Sequence, residues 1–96
     1  MILTERETER GVLVTACDPD VLGETFENGE VEFTVNEEFY GGDEADADAV
    51  RAALARANVA NIVGDDAVGI AIEEGFVEEA NVLDLDGTVH AQFMRL

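Results

Sequence analysis

The chain has no lysine and no tryptophan, and only one histidine, one cysteine and one proline among its 96 residues. Each shortage excludes something. A single cysteine, Cys17, leaves no internal disulfide. With one histidine beside it, the four Cys or His ligands of a structural zinc site cannot be assembled, so no metal and no cofactor is expected. The basic residues are five arginines against 23 acidic residues, a formal charge of −18. A basic stripe of the ordinary nucleic-acid-binding kind is therefore missing. No apolar run approaches the roughly 20 residues of a membrane span. The first residues lack the charged-then-apolar layout of a signal peptide, so a soluble cytoplasmic protein is expected.

What is present argues for folding. Apolar residues make up 47% of the chain, and they recur with regular spacing, which a disordered acidic chain would not show. A lysine-free, carboxylate-rich surface suits a cytoplasm of molar salt. At about 1 M salt the Debye length is near 3 Å, and self-repulsion is largely screened. The composition points to a halophilic archaeal source, and residues 1–96 to a single domain.

"MILTERET" and "GVLVTAC" read as a hairpin turning at "TERG", with the first strand on a sheet edge. Asp18 and Pro19 suit a helix start that Gly23 ends within a turn. "VEFTV" alternates as a strand with Val31, Phe33 and Val35 on one face. After Gly41 and Gly42 the period changes. Asp43 or Asp46 can cap a helix whose Ala47, Val50, Leu54 and Ala57 share a face. A second helix follows Gly64, with Asp65 or Asp66 as its cap, Gly75 as its terminator and Phe76 folding back on it. Gly69 inside that helix suggests close approach of another backbone.

Asp86-Gly87, between two alternating apolar runs, is the signature of a two-residue hairpin. Such a loop fixes register: Leu85 faces Thr88, Asp84 faces Val89, and Leu83 faces His90. One surface of the ribbon then carries Val82, Asp84, Val89, Ala91 and Phe93, a core face. The other carries Leu83, Leu85, Thr88, His90, Gln92 and Met94, a mixed face on which a ligand or partner can dock. A catalytic base needs an orienting partner and a cleft, and no partner for His90 can be named. Cys17 and His90 as a nucleophile pair, with Asp18 adjacent, is arithmetically open. "VGDDAV" has no basic residue near its helix end, so capping is favoured over anion binding. Tyr40, Gly41 and Gly42 in "FYGGD" suit base stacking and close backbone approach, against a plain turn with Phe39 in the core.

The ordered segments "VLVTACDPDVLGETFENGE", "EFYGG", "ANIVGDDAVGIAIEEGFV" and "GTVHAQ" resemble the archaeal domain of unknown function 424 family over nearly the whole chain. The positions matching its motif are Cys17, Asp18, Gly23, Tyr40, Gly41, Gly42, Asn61, Gly64, His90 and Gln92. The resemblance implies a small archaeal single-domain protein and brings no established activity. It also implies a basic residue after the glycine in many relatives. This chain has Asp65 and Asp66 there, which weighs against anion binding at that helix end.

The expected fold is a single α+β domain: an antiparallel sheet of about five strands with two main helices on one face. The expected function is a non-enzymatic binding module in RNA metabolism or translation, its partner RNA or a ribonucleoprotein. His90, Gln92, Tyr40, Gly41, Gly42, Asn61, Gly64, Cys17 and Asp18 are the candidate binding residues, with no catalytic residue assigned. The alternatives are a small enzyme or ligand-binding protein using Cys17, Asp18 and His90, and a homo-oligomeric structural protein that covers the mixed ribbon face.

Overall fold

The computed structural model describes residues 1–95. Its main sheet has six strands in the order β5-β1-β2-β6-β8-β7. They are β1 (Ile2–Thr8), β2 (Gly11–Cys17), β5 (Asp43–Glu44), β6 (Val59–Val63), β7 (Leu83–Asp84) and β8 (Val89–Met94). All neighbours pair antiparallel except β2 and β6, which run parallel. Strands β3 (Thr25–Asn28) and β4 (Val31–Thr34) form a separate two-stranded ribbon. The helices are α1 (Glu37–Tyr40), α2 (Ala47–Arg56) and α3 (Asp65–Glu73).

The α+β class and the two main helices on one face agree with the sequence. The strand membership does not. "VEFTV" supplies β4 of the ribbon and is not in the main sheet. Its place is taken by "VANIV", β6, a central strand that reads in the sequence as the approach to a helix. The sheet thus has six strands where about five were expected. β1 is not the outermost strand either, because β5 pairs outside Ile2 and Leu3.

Alternation builds the core. Val14 and Ala16 of β2, Ala60 and Ile62 of β6, and Ala91 of β8 point to one side and are at most 2% exposed. There they meet Val50, Ala53 and Leu54 of α2 and Ala67, Val68, Ile70 and Ala71 of α3. The alanines bring the helices close to the sheet. Leu54 is fully buried in this layer; burying such a side chain contributes roughly 1.5–3 kcal/mol.

The helix ends obey local chemistry in part. The Asp46 side chain accepts a 2.8 Å bond from the Ala49 N–H at the start of α2. α3 ends in a Schellman motif: the Phe76 N–H bonds Ala71 O at 2.9 Å and the Gly75 N–H bonds Ile72 O at 3.0 Å. Its start differs from the sequence expectation. Neither Asp65 nor Asp66 caps it. Asp18, from the end of β2, reaches across and accepts from the Asp66 and Ala67 N–H groups, both at 2.9 Å. Gly64, at φ 109°, holds a conformation L-residues rarely adopt, and a Cβ there would collide with the Asp18 side chain. Asp18 heads the 3-10 turn Pro19–Val21 but makes no side-chain cap to it. Gly69 lies on open space, so no backbone approaches it.

The closing ribbon follows its expected register. Leu83 pairs with His90 and Asp84 with Val89, and the Leu85 N–H bonds Thr88 O at 2.9 Å. Asp86 and Gly87 both have positive φ, 56° and 126°, as a two-residue loop of this hand requires.

Candidate functional site

The sheet face turned away from α2 and α3 is only partly closed. Ile2 of β1, Cys17 of β2 and Val63 of β6 are covered by Val21, Val35, Tyr40 and the ribbon phenylalanines Phe26 and Phe33. The ribbon is tied to the closing hairpin by a 2.8 Å bond from the Asn28 side chain to Asp84 O. Leu85 and Thr88 are therefore buried, although they lie on the surface read from the sequence as mixed. The cover stops at β6 and β8. Asn61 pairs in register with Gln92, and Val63 with His90, so Asn61, Gln92 and His90 stand together where the cover ends.

A groove of about 560 Å³ opens there, lined by Phe33, Thr34, Asn36, Glu38, Phe39, Tyr40, Asn61, His90 and Gln92. Its floor is the amide pair Asn61 and Gln92. One wall is the ribbon, where the Phe33 ring lies 5.1 Å from the His90 ring. The other wall is α1, where Phe39 and Tyr40 meet edge to face at 5.0 Å.

α1 is one turn long and is held by its cap: the Asn36 side chain accepts from the Glu38 N–H at 2.7 Å and the Phe39 N–H at 3.3 Å. Arg6 of β1 braces it from outside, bonding Glu38 O at 3.0 Å and lying 5.7 Å from the Phe39 ring centre.

The electrostatics of this face are unlike those of the rest of the chain. The residues of β1, β2, β6 and β8 turned to it are Ile2, Thr4, Arg6, Leu13, Thr15, Cys17, Val59, Asn61, Val63, His90, Gln92 and Met94, with no carboxylate among them; on this side Glu44 of β5, paired with Ile2, lies at the far edge of the sheet. Glu38 is the one acidic residue in the groove lining. Partial burial lowers the pKa of His90 below the ordinary value of 6.5, so the ring is neutral at pH 7. Among the described residues no protein group hydrogen-bonds it. Burial pushes the Tyr40 hydroxyl up to about 12, which keeps it protonated.

Of the nine residues expected from the sequence, the groove gathers four: His90, Gln92, Tyr40 and Asn61. Gly41 and Gly42 lie outside it. They carry the chain from α1 to β5, and side chains there would strike Glu37 O and Leu3 O, which is a packing role. Gly64 and Asp18 shape the start of α3. Burial raises the Asp18 carboxyl pKa, and the two α3 N–H bonds only partly offset this.

Cys17 is fully buried, with burial pushing its thiol up to about 11. Cys17 pairs with Val63, which pairs with His90, so thiol and imidazole are two strand spacings, about 10 Å, apart with a valine between them. The Cys17/Asp18/His90 constellation does not form. Among the described residues no cluster of metal-ligating side chains is present.

Phe33, Thr34, Asn36, Glu38 and Phe39 complete the groove; none was expected as a site residue from the sequence, where Phe33 and Phe39 read only as strand-face and core residues. Asn36 followed by two glutamates and an aromatic pair was the available signal, a helix start only one turn long.

These features define a small α+β domain whose main sheet is closed by helices on one face and left as an aromatic and amide-lined groove on the other. The chain belongs to the family described as protein of unknown function, DUF424, which matches residues 5–96. A crystal structure of an uncharacterized conserved protein from Methanopyrus kandleri is similar in fold. The TM-score is 0.78 at 24% sequence identity, over 96% of this chain and 88% of that one. Comparison with curated proteins gives no match. Among the described residues no helix is long and apolar enough to cross a membrane.

Proposed function

We propose that the protein is a non-catalytic binding module whose groove takes an unpaired base of RNA. The observation that carries this is the register pair Asn61 and Gln92, two amides side by side on the open floor between the Phe33 and Phe39–Tyr40 walls. Amides offer donor and acceptor together, which suits the edge of a base. Aromatic walls supply stacking worth about 1–3 kcal/mol per base. The neutral His90 adds one donor and one acceptor.

The charge of −18 would repel a polyanion in dilute buffer. In molar salt that repulsion is screened, and attraction to phosphate is weak for every protein. Recognition then falls to stacking and base-edge bonds, and the groove floor on β6 and β8, strands that carry no carboxylate, is where RNA meets the least opposition.

The test is binding of short fluorescent single-stranded RNAs at about 1 M KCl, where the Debye length is near 3 Å. Saturable binding is expected, weakened roughly tenfold by Gln92→Ala or Asn61→Ala, as the loss of one good base-edge contact implies. Absence of binding at every salt concentration, or wild-type affinity in both variants, contradicts the proposal.

A further inference from the structure

The outer edge of β8 is half unpaired. Its odd-numbered residues turn their backbone groups toward β6: Val89 O accepts from the Gly64 N–H at 2.9 Å, and the Arg95 N–H donates to Asn58 O at 2.7 Å. The even-numbered residues therefore face outward. Thr88 and His90 meet β7 there, since Leu85 bonds Thr88 and Leu83 pairs with His90. β7 is only two residues long, and before it the chain leaves into the turn Glu79–Asn81. The outward N–H and C=O of Gln92 and Met94 have no partner among the described residues. Beside them lies a cleft of about 310 Å³ lined by Gly75, Val77, Glu78, Asn81 and Gln92 among others.

An open edge is normally guarded by charge. The opposite edge of this sheet is so guarded, by Asp43 and Glu44 of β5 and by Glu5, Arg6 and Glu7 of β1. β8, "VHAQFM", carries no charged residue in a chain with 23 acidic ones. Met94 on this edge is 65% exposed.

We infer that β8 pairs antiparallel with β8 of a second copy of this chain. The free groups have the symmetry for it: Gln92 and Met94 flank Phe93, so pairing Gln92 with the partner's Met94 satisfies both outward rows about a twofold axis at Phe93. Every other edge would set carboxylates against carboxylates, whereas this one brings two uncharged strands together. The twofold stands perpendicular to the sheet, so both grooves open on the same side. The two Gln92 side chains come about 7–8 Å apart, as diagonal neighbours, and the exposed Met94 gains a neighbour. Four or five residues of edge bury less than the roughly 800 Å² per partner of a standard interface, so the dimer is weak. It strengthens with salt as the repulsion between two copies at −18 each is screened.

Sedimentation equilibrium on the full chain at about 0.1 M and 1 M KCl, Debye lengths near 10 and 3 Å, tests this. A monomer–dimer equilibrium is expected, tighter at the higher salt. Met94→Pro removes an N–H that β6 does not use and deletes two symmetry-related bonds. It should weaken association about tenfold with an unchanged monomer circular dichroism spectrum, while Met94→Ala retains the dimer. Amide exchange of wild-type protein gives a check that needs no variant: the Gln92 and Met94 amides should become protected as concentration rises. A wild-type monomer throughout, or unprotected Gln92 and Met94 amides in a dimer, overturns the inference and leaves this edge for a strand of another protein. Met94 does not line the groove, so failure here is distinct from failure of RNA binding.

Discussion

The two faces of the sheet are built from the same strands, residue by residue in alternation, yet they are used differently. On the helix face Val14, Ala16, Ala60 and Ile62 are fully buried beneath α2 and α3. On the other face their immediate neighbours include half-exposed Asn61 and Val59, and Gln92 and Met94 open to solvent. A domain this small cannot fill two complete layers. It closes one face with alanine-rich helices, and closes the other only as far as a short ribbon and one helical turn reach. The boundary of that cover is the groove. Stability resides on the first face, and the proposed recognition on the uncovered part of the second.

Substitutions on the two faces sharpen the contrast. Leu54→Ala, on the helix face, should cost about 2–5 kcal/mol in urea unfolding and leave RNA affinity per folded molecule unchanged. Asp18→Ala removes both acceptors from the start of α3 and should cost about 2 kcal/mol. Asp18→Asn, which keeps one acceptor, should fall between. Gln92→Ala should alter stability by no more than about 0.5 kcal/mol, although it weakens binding. A stability loss at Gln92 comparable to that at Leu54 would mean that the open face is structural after all.

The smallest effect is a pH dependence. Because His90 has a lowered pKa in the fold, the unfolded chain takes up the proton first as pH falls below 6.5. Its contribution is fully present above that value and is lost as pH drops toward the folded pKa. Comparing urea midpoints of wild type and His90→Gln between pH 7 and 5.5 should show a shallower fall for the variant. Equal slopes would place the ring in an environment no drier than the unfolded chain's.

The closing hairpin was fully legible in the sequence, register included, because a two-residue Asp-Gly loop admits one pairing. The ends of α2 and α3 were legible where the determinants are local: Asp46 at the start of one, Gly75-Phe76 at the end of the other. β6 was hidden because five mostly apolar residues leading into a helix have no period of their own. The cap on α3 was hidden because Asp18 is 48 residues from Asp66, and no local pattern announces so distant a partner. For the same reason the sequence brought out the groove-facing residues of β8, and Tyr40, but missed the rest of the walls. His90 and Gln92 follow from register, whereas Phe33, Phe39 and Asn36 enter the groove only once ribbon and α1 fold over the sheet.

The most direct measurement is a two-dimensional NMR titration of the labelled protein with a short unstructured RNA at about 1 M KCl. The expected shifts concentrate on the side-chain amides of Asn61 and Gln92, the His90 ring and the rings of Phe33, Phe39 and Tyr40, with α2 and α3 unmoved. Shifts centred on the helix face, or none at all with RNA in large excess, would contradict the division of labour between the two faces.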